Sequence, residues 1–170
     1  MPNWAEGNIR FRGKPEDIMN LLKGELLSVG TNKDFETDEF TPVFEWNEFN
    51  DITVSEPEEA KKEVRFFKSL YIKGTHRNFI DSIAGLYLPR YEEEYTLCID
   101  SFRAAWGVDP KPYIEKSKKY HVDIKIVVYE CGMCFVQRIE IENGELNLDQ
   151  EVKYDGEEWN WEADFPNLGG

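Results

Sequence analysis

The chain has 170 residues, a formal charge of −14 at neutral pH and a pI near 4.6. Its hydrophobic content of 41%, with 14% aromatics, is enough for a core and excludes wholesale disorder. That length predicts one domain, and the carboxylate excess opposes nucleic-acid phosphates while favouring solubility or a basic partner.

Taken in order, Asn8 to Arg12 alternate Ile9 and Phe11 with polar neighbours and stop at Gly13, the pattern of a short strand. Pro15 then occupies a first-turn position with Glu16 and Asp17 behind it, as the helix dipole prefers. Ile18, Leu21, Leu22 and Leu26 follow at helical spacing, which predicts a helix ending at Gly30. Residues 31–60 break this rhythm. From Asp34 to Glu59 there are ten acidic residues and no Lys or Arg, interleaved with Phe35, Phe40, Phe44, Trp46 and Phe49. So many aromatics argue for an acidic insertion partly packed on the body rather than a solvated loop.

Ser55-Glu56-Pro57-Glu58 fits a capping box, which predicts a short helix to about Arg65, followed by a strand over Ser69–Lys73. Gly74 to Asn78 is a turn, and Phe79 to Leu88 reads as a variable connection. From Glu94 the pattern sharpens. Tyr95, Leu97 and Ile99 alternate as a strand, and Trp106-Gly107 makes a tight link. A helix after Pro110 carries Tyr113, Ile114, Ser117 and Tyr120 inward, with Lys116, Lys118, Lys119 and His121 at its C-terminal end. Val122, Ile124, Ile126 and Val128 form the next strand, Glu130 to Met133 a turn, and Phe135 to Glu142 the returning strand. Asn143-Gly144 and Asp155-Gly156 both read as hairpin turns, so further antiparallel strands are expected over 145–170. This is an α+β pattern.

Cys98, Cys131 and Cys134 make an odd count without a disulfide framework, as suits a reducing cytosol. No apolar run resembles a leader or a membrane span, so a cytoplasmic protein is expected. Cys131-Gly-Met-Cys134 lacks a second ligand pair for zinc and sits between two strands rather than ahead of a helix, so it reads as turn cysteines. Consecutive residues of Glu92-Glu93-Glu94 point to opposite faces of an extended chain, so a solvated acidic run is expected rather than a metal site or a carboxylate pair. No phosphate loop, nucleophile elbow or H-E-x-x-H motif is present, and two histidines offer little for acid–base chemistry. A non-enzymatic protein without a cofactor is expected.

Two stretches resemble a known family. Met1-Pro2-Asn3-Trp4 through Gly13 is similar to the N-terminus of Api-like phage and plasmid proteins with a YubB-type domain, in which an Asn-Trp pair opens the first strand. Phe102-Arg103-Ala104-Ala105-Trp106, with Pro110 and Pro112, resembles the family's aromatic-Thr-Ala-Trp run, and Tyr129-Glu130-Cys131-Gly132 with Phe135 its hairpin. Ala5 stands where a Cys is common and Ala104 where Thr is. The resemblance spans the first 27 residues and about 94–148. It implies a ferredoxin-like βαββαβ core, here with an acidic insertion after the first helix and extra C-terminal strands. It brings no established chemistry.

Charge and resemblance together favour an inhibitor that occupies the basic nucleic-acid-binding surface of a host protein, for example a restriction or CRISPR nuclease. Its partner-binding residues would be Asp34, Glu36, Asp38, Glu39, Glu45, Glu48, Glu56, Glu58, Glu59, Glu157 and Glu158, drawn from two acidic blocks. The alternative is a nucleic-acid-binding module using Arg65, Lys68, Tyr71, Lys73, His76 and Arg77, the chief basic cluster outside the second helix. Net charge makes that direct contact the less expected of the two.

Overall fold

The computed structural model describes residues 3–31, 37–57 and 65–170. Among them, nine strands form one antiparallel sheet in the order β11-β10-β9-β1-β8-β7-β6-β2-β3, where β1 is Trp4–Gly13, β2 Leu26–Thr31, β3 Thr37–Phe40 and β6 Arg65–Ile72. The others are β7 (Asn78–Ile80), β8 (Tyr95–Ala105), β9 (Asp123–Glu130), β10 (Phe135–Glu142) and β11 (Glu145–Lys153). A separate hairpin pairs β4 (Val43–Trp46) with β5 (Ile52–Ser55). Helix α1 spans Pro15–Glu25, α2 Lys111–Tyr120 and α3 Gly156–Glu162. The α+β class is as expected.

The sheet is larger than a four-stranded βαββαβ core. Because every pairing is antiparallel, β1 and β2 run the same way with α1 between them in sequence, while β8, β7 and β6 lie between them in space. Likewise β8 and β9 are joined through α2 and straddle β1. The sequence from Phe79 to Leu88, expected to be a connection, begins with β7. Three residues are too few to show a period in sequence, and this strand exists because Tyr71↔Phe79 and Phe79↔Arg103 fill a gap in the sheet.

Both α1 and α2 pack on one face of the sheet. Ile18, Met19, Leu21 and Leu22 of α1 and Tyr113 of α2 meet Ile9, Phe11, Ile99, Phe102, Ile124 and Ile126, all buried, and Phe44 and Ile52 of the hairpin extend that core. Helix α1 ends at Glu25 and not at Gly30: Leu26 is already extended, and Leu26–Thr31 pairs with β6 and β3. Leu26 is buried in either structure, so helical spacing alone could not separate the two, and strand pairing decides. The expected helix before Arg65 falls on residues 58–64, outside the described residues; Arg65 itself begins β6.

The opposite face carries α3. Asp155-Gly156 is not a hairpin turn but the entry to this helix: the Asp155 carboxylate accepts from the backbone of Glu157 (3.0 Å) and Glu158 (2.9 Å), and Glu158 reaches back to the Asp155 N–H. The D-x-x-E spacing satisfies orphan helix donors that a two-residue turn would leave open. Trp159, expected on a strand, is buried against Tyr129 and Val136, and its indole N–H donates to the Pro166 carbonyl. Asn143-Gly144 does turn β10 into β11.

Candidate functional site: an aromatic–arginine platform

Tyr71, Phe79, Arg103, Glu6 and Tyr129 stand opposite one another on β6, β7, β8, β1 and β9, so their side chains share the face away from α1 and α2. Alternation produces this row: Leu70, Ile80, Phe102 and Ala5 point into the core, and their neighbours must point out. Helix α3 covers the Tyr129 end. Among the described residues no helix covers the end formed by β6, β7, β8 and the start of β1.

On that uncovered end the rings of Trp4 and Phe79 meet edge to face at 6.0 Å, and Tyr71 leans on Phe79 at 5.7 Å. Two guanidinium groups lie over them. Arg103 is 5.2 Å from the Trp4 centroid and 5.8 Å from Phe79; Arg77 is 5.5 Å from Trp4 and 5.9 Å from Trp106. His76 stacks on Trp106 at 5.7 Å, with 24° between the planes. The site therefore brings guanidinium groups within reach of indole and phenyl rings, the pairing that attracts a cation to a π face.

Arg103 is anchored from beneath. It donates to Ser69 Oγ at 2.7 Å and pairs with Asp81 at 3.4 Å, and Ser69 donates to the same Asp81 oxygen at 2.7 Å. Its Nε is buried with no hydrogen-bond partner among the described residues. Arg77 makes no ion pair among the described residues. Two backbone positions of the platform are left-handed, Arg77 at φ 57° and Trp106 at φ 60°, a region that costs non-glycine residues energy and clusters at functional sites. Both are held: Ala105 donates its N–H to the Arg77 carbonyl (3.3 Å), and Trp106 to the Asn3 carbonyl (2.9 Å). Below the link, Asn78 donates to the phenol of buried Tyr113 at 2.8 Å, tying β7 to α2. Burial pushes the Tyr113 phenol well up, with Asn78 opposing, so it stays neutral.

Of the residues expected for nucleic-acid binding, Tyr71, His76 and Arg77 come together here. Lys73 does not. Its ammonium donates to the Gly24 carbonyl at the end of α1, and the side chains of Arg65 and Lys68 lie outside the described residues. The site's other members, Trp4, Phe79, Arg103 and Trp106, were not anticipated, although alternation along Phe102-Arg103-Ala104 does place Arg103 away from the core.

The expected acidic partner surface is divided. Asp38 and Glu39 lie on β3 at one edge of the sheet, whereas Glu157 and Glu158 follow β11 at the other. Eight strand spacings separate those edges, about 38 Å. Glu45 and Glu48 are exposed on the β4–β5 hairpin, but Glu56 turns inward to accept from Ser28 at 2.9 Å. Asp34, Glu36, Glu58 and Glu59 lie outside the described residues.

The cysteine pair occupies the β9–β10 turn, where Cys131 donates to the Gly169 carbonyl and Cys134 to that of Cys131. Burial and the neighbouring Asp100 raise the Cys98 thiol, which is the wrong direction for a nucleophile. Among the described residues no three His, Cys, Asp or Glu side chains gather as a metal site, and no helix is long and apolar enough to cross a membrane. No protein-family model, curated protein or solved structure matches the chain.

Proposed function

We propose that this is a non-enzymatic binding module that receives one or two unpaired bases of single-stranded nucleic acid on the aromatic–arginine platform. The observation that carries the reading is the array of Arg77 and Arg103 guanidinium groups set 5.2–5.9 Å from the ring centroids of Trp4, Phe79 and Trp106 on a sheet face that no helix covers among the described residues. Bases stack on aromatic rings and on guanidinium planes alike, and the same cations meet the adjoining phosphate. The two helix-linked strand pairs, β1-α1-β2 and β8-α2-β9, support a ferredoxin-like core widened by the β6–β7 hairpin, in keeping with the resemblance to Api-like proteins. The overall charge of −14 sets a limit. Contact is confined to this patch, and long polymers are repelled by the remaining surface.

Fluorescence anisotropy with a short labelled oligonucleotide tests this. With two arginines engaged, the slope of log affinity against log salt is about −1.4. Arg77→Ala and Trp4→Ala each weaken binding about tenfold, in line with about 1–3 kcal/mol per stacked base. Unchanged affinity in both variants would reject the platform.

The inhibitor reading remains as a second proposal in narrower form. One observation favours it: the carboxylates of residues 154–170 form no ion pair among the described residues, and that stretch contains no Lys or Arg. The C-terminal edge alone would then engage a basic partner.

A further inference from the structure

Trp161 is 87% exposed and Phe165 56% exposed, at and just beyond the end of α3. Both belong to a segment whose other apolar residues are turned inward: Trp159 and Ala163 are buried, and Trp159 is fixed through Pro166. Phe165 is held in place from below, its ring edge-on to Tyr129 at 5.3 Å. A tryptophan with nearly its whole surface in water, four residues ahead of a positioned phenylalanine in the chain, is unusual and is the composition of an interface anchor.

Charge selects what covers it. Asp155, Glu157, Glu158, Glu162 and Asp164 surround these rings in the chain with no basic residue between 154 and 170. Asp155 and Glu158 are occupied in capping the helix, and Asp164 accepts weakly from the Tyr129 phenol at 3.3 Å. Burial and Asp164 together raise that phenol, so it remains a neutral donor. Glu157 and Glu162 point their charge at solvent. A second copy of this chain would bring the same carboxylates against one another, so self-pairing is opposed.

We infer that Trp161 and Phe165, rimmed by Glu157 and Glu162, form a docking surface for an amphipathic basic segment of a partner protein. Aliphatic side chains of the segment cover the two rings, and its Lys or Arg residues meet the carboxylate rim. This division is the ordinary anatomy of an interface, with an apolar centre carrying affinity and a charged rim setting encounter rate and partner choice. The inference gives the second proposal its surface and rests on it; it is independent of the platform.

The test is titration of the full chain into a fluorescein-labelled amphipathic helical peptide of lysine and leucine, with a lysine–serine peptide of equal charge as control. The native chain binds the leucine peptide more tightly than the serine peptide, and Trp161→Ala with Phe165→Ala weakens it about tenfold or more. Both residues are exposed, so the fold is retained, and near-ultraviolet circular dichroism from buried Trp159 verifies that. Glu157→Lys with Glu162→Lys weakens binding and lowers its salt dependence. Binding within about twofold of native in the apolar variant, while the charge variant fails, would overturn the surface but leave the acidic-partner reading standing. Native-like binding by both variants, or none by the native chain, would overturn both. A dimer abolished by Trp161→Ala would replace the basic partner with a second copy.

Discussion

Glu25 shows how a single side chain can join two elements. Buried at the end of α1, it accepts from Lys119 and the Tyr120 phenol, both at 2.9 Å, and pairs with Lys116 at 3.2 Å. Burial alone would raise its carboxyl, but those three partners on α2 outweigh it and hold the group below the usual carboxylate range. A carboxyl lowered in the folded state adds stability that is present above its unfolded value, about 4.3, and is lost as pH falls through the folded value. Glu25→Gln should therefore destabilise the protein by on the order of 2 kcal/mol at neutral pH, and the difference should shrink in acid. Denaturant titrations at several pH values would show it, and a pH-independent difference would contradict the account. Tyr113→Phe is a second residue-scale case. It strands the Asn78 amide in the core and should cost about 1–3 kcal/mol. Gly7 is a third. A Cβ there would sit 2.1 Å from the Val127 carbonyl of β9, where the β1–β8 register shifts, so Gly7→Ala should cost about 3 kcal/mol in the same measurement.

At the scale of elements, α3 depends on its first turn. Seven residues make a helix too short to hold itself, so the Asp155 capping box and the burial of Trp159 must do so. Asp155→Ala should cost about 1 kcal/mol and raise amide hydrogen exchange over 156–163 while β9 and β10 stay protected. Exchange that rises uniformly over the chain would mean α3 is not a separable unit. The same helix explains why Asp155-Gly156 misleads: Asp-Gly serves a hairpin and a helix entry equally, and only Glu158 at the third helical position distinguishes them. The α1–β2 boundary misleads for a related reason. Leu22 and Leu26 keep helical spacing across a junction at which the chain has already turned extended. The strands from Tyr95 onward were legible because their alternation is long enough to exclude a helix.

For the whole molecule, the nine-stranded sheet puts its two acidic margins at opposite edges and the platform on one face between them. A protein with a net charge of −14 should remain monomeric, and sedimentation at low salt would detect any departure. Composition and period alone determined the α+β class, the first strand, the helix after Pro110, the β9–β10–β11 meander and the acidic excess, because those signals are local and repeat along the chain. Tertiary structure decided the rest. Trp4, Arg77, Phe79, Arg103 and Trp106 come from three separate stretches, and only the registers of β1, β7 and β8 bring their side chains onto one surface. The two acidic blocks look alike in sequence, yet strand order sends Asp38 and Glu39 of the first to one edge and Glu157 and Glu158, which follow β11, to the other. Strand order is set by which apolar faces close a common core, a property of the assembled sheet that no single segment carries.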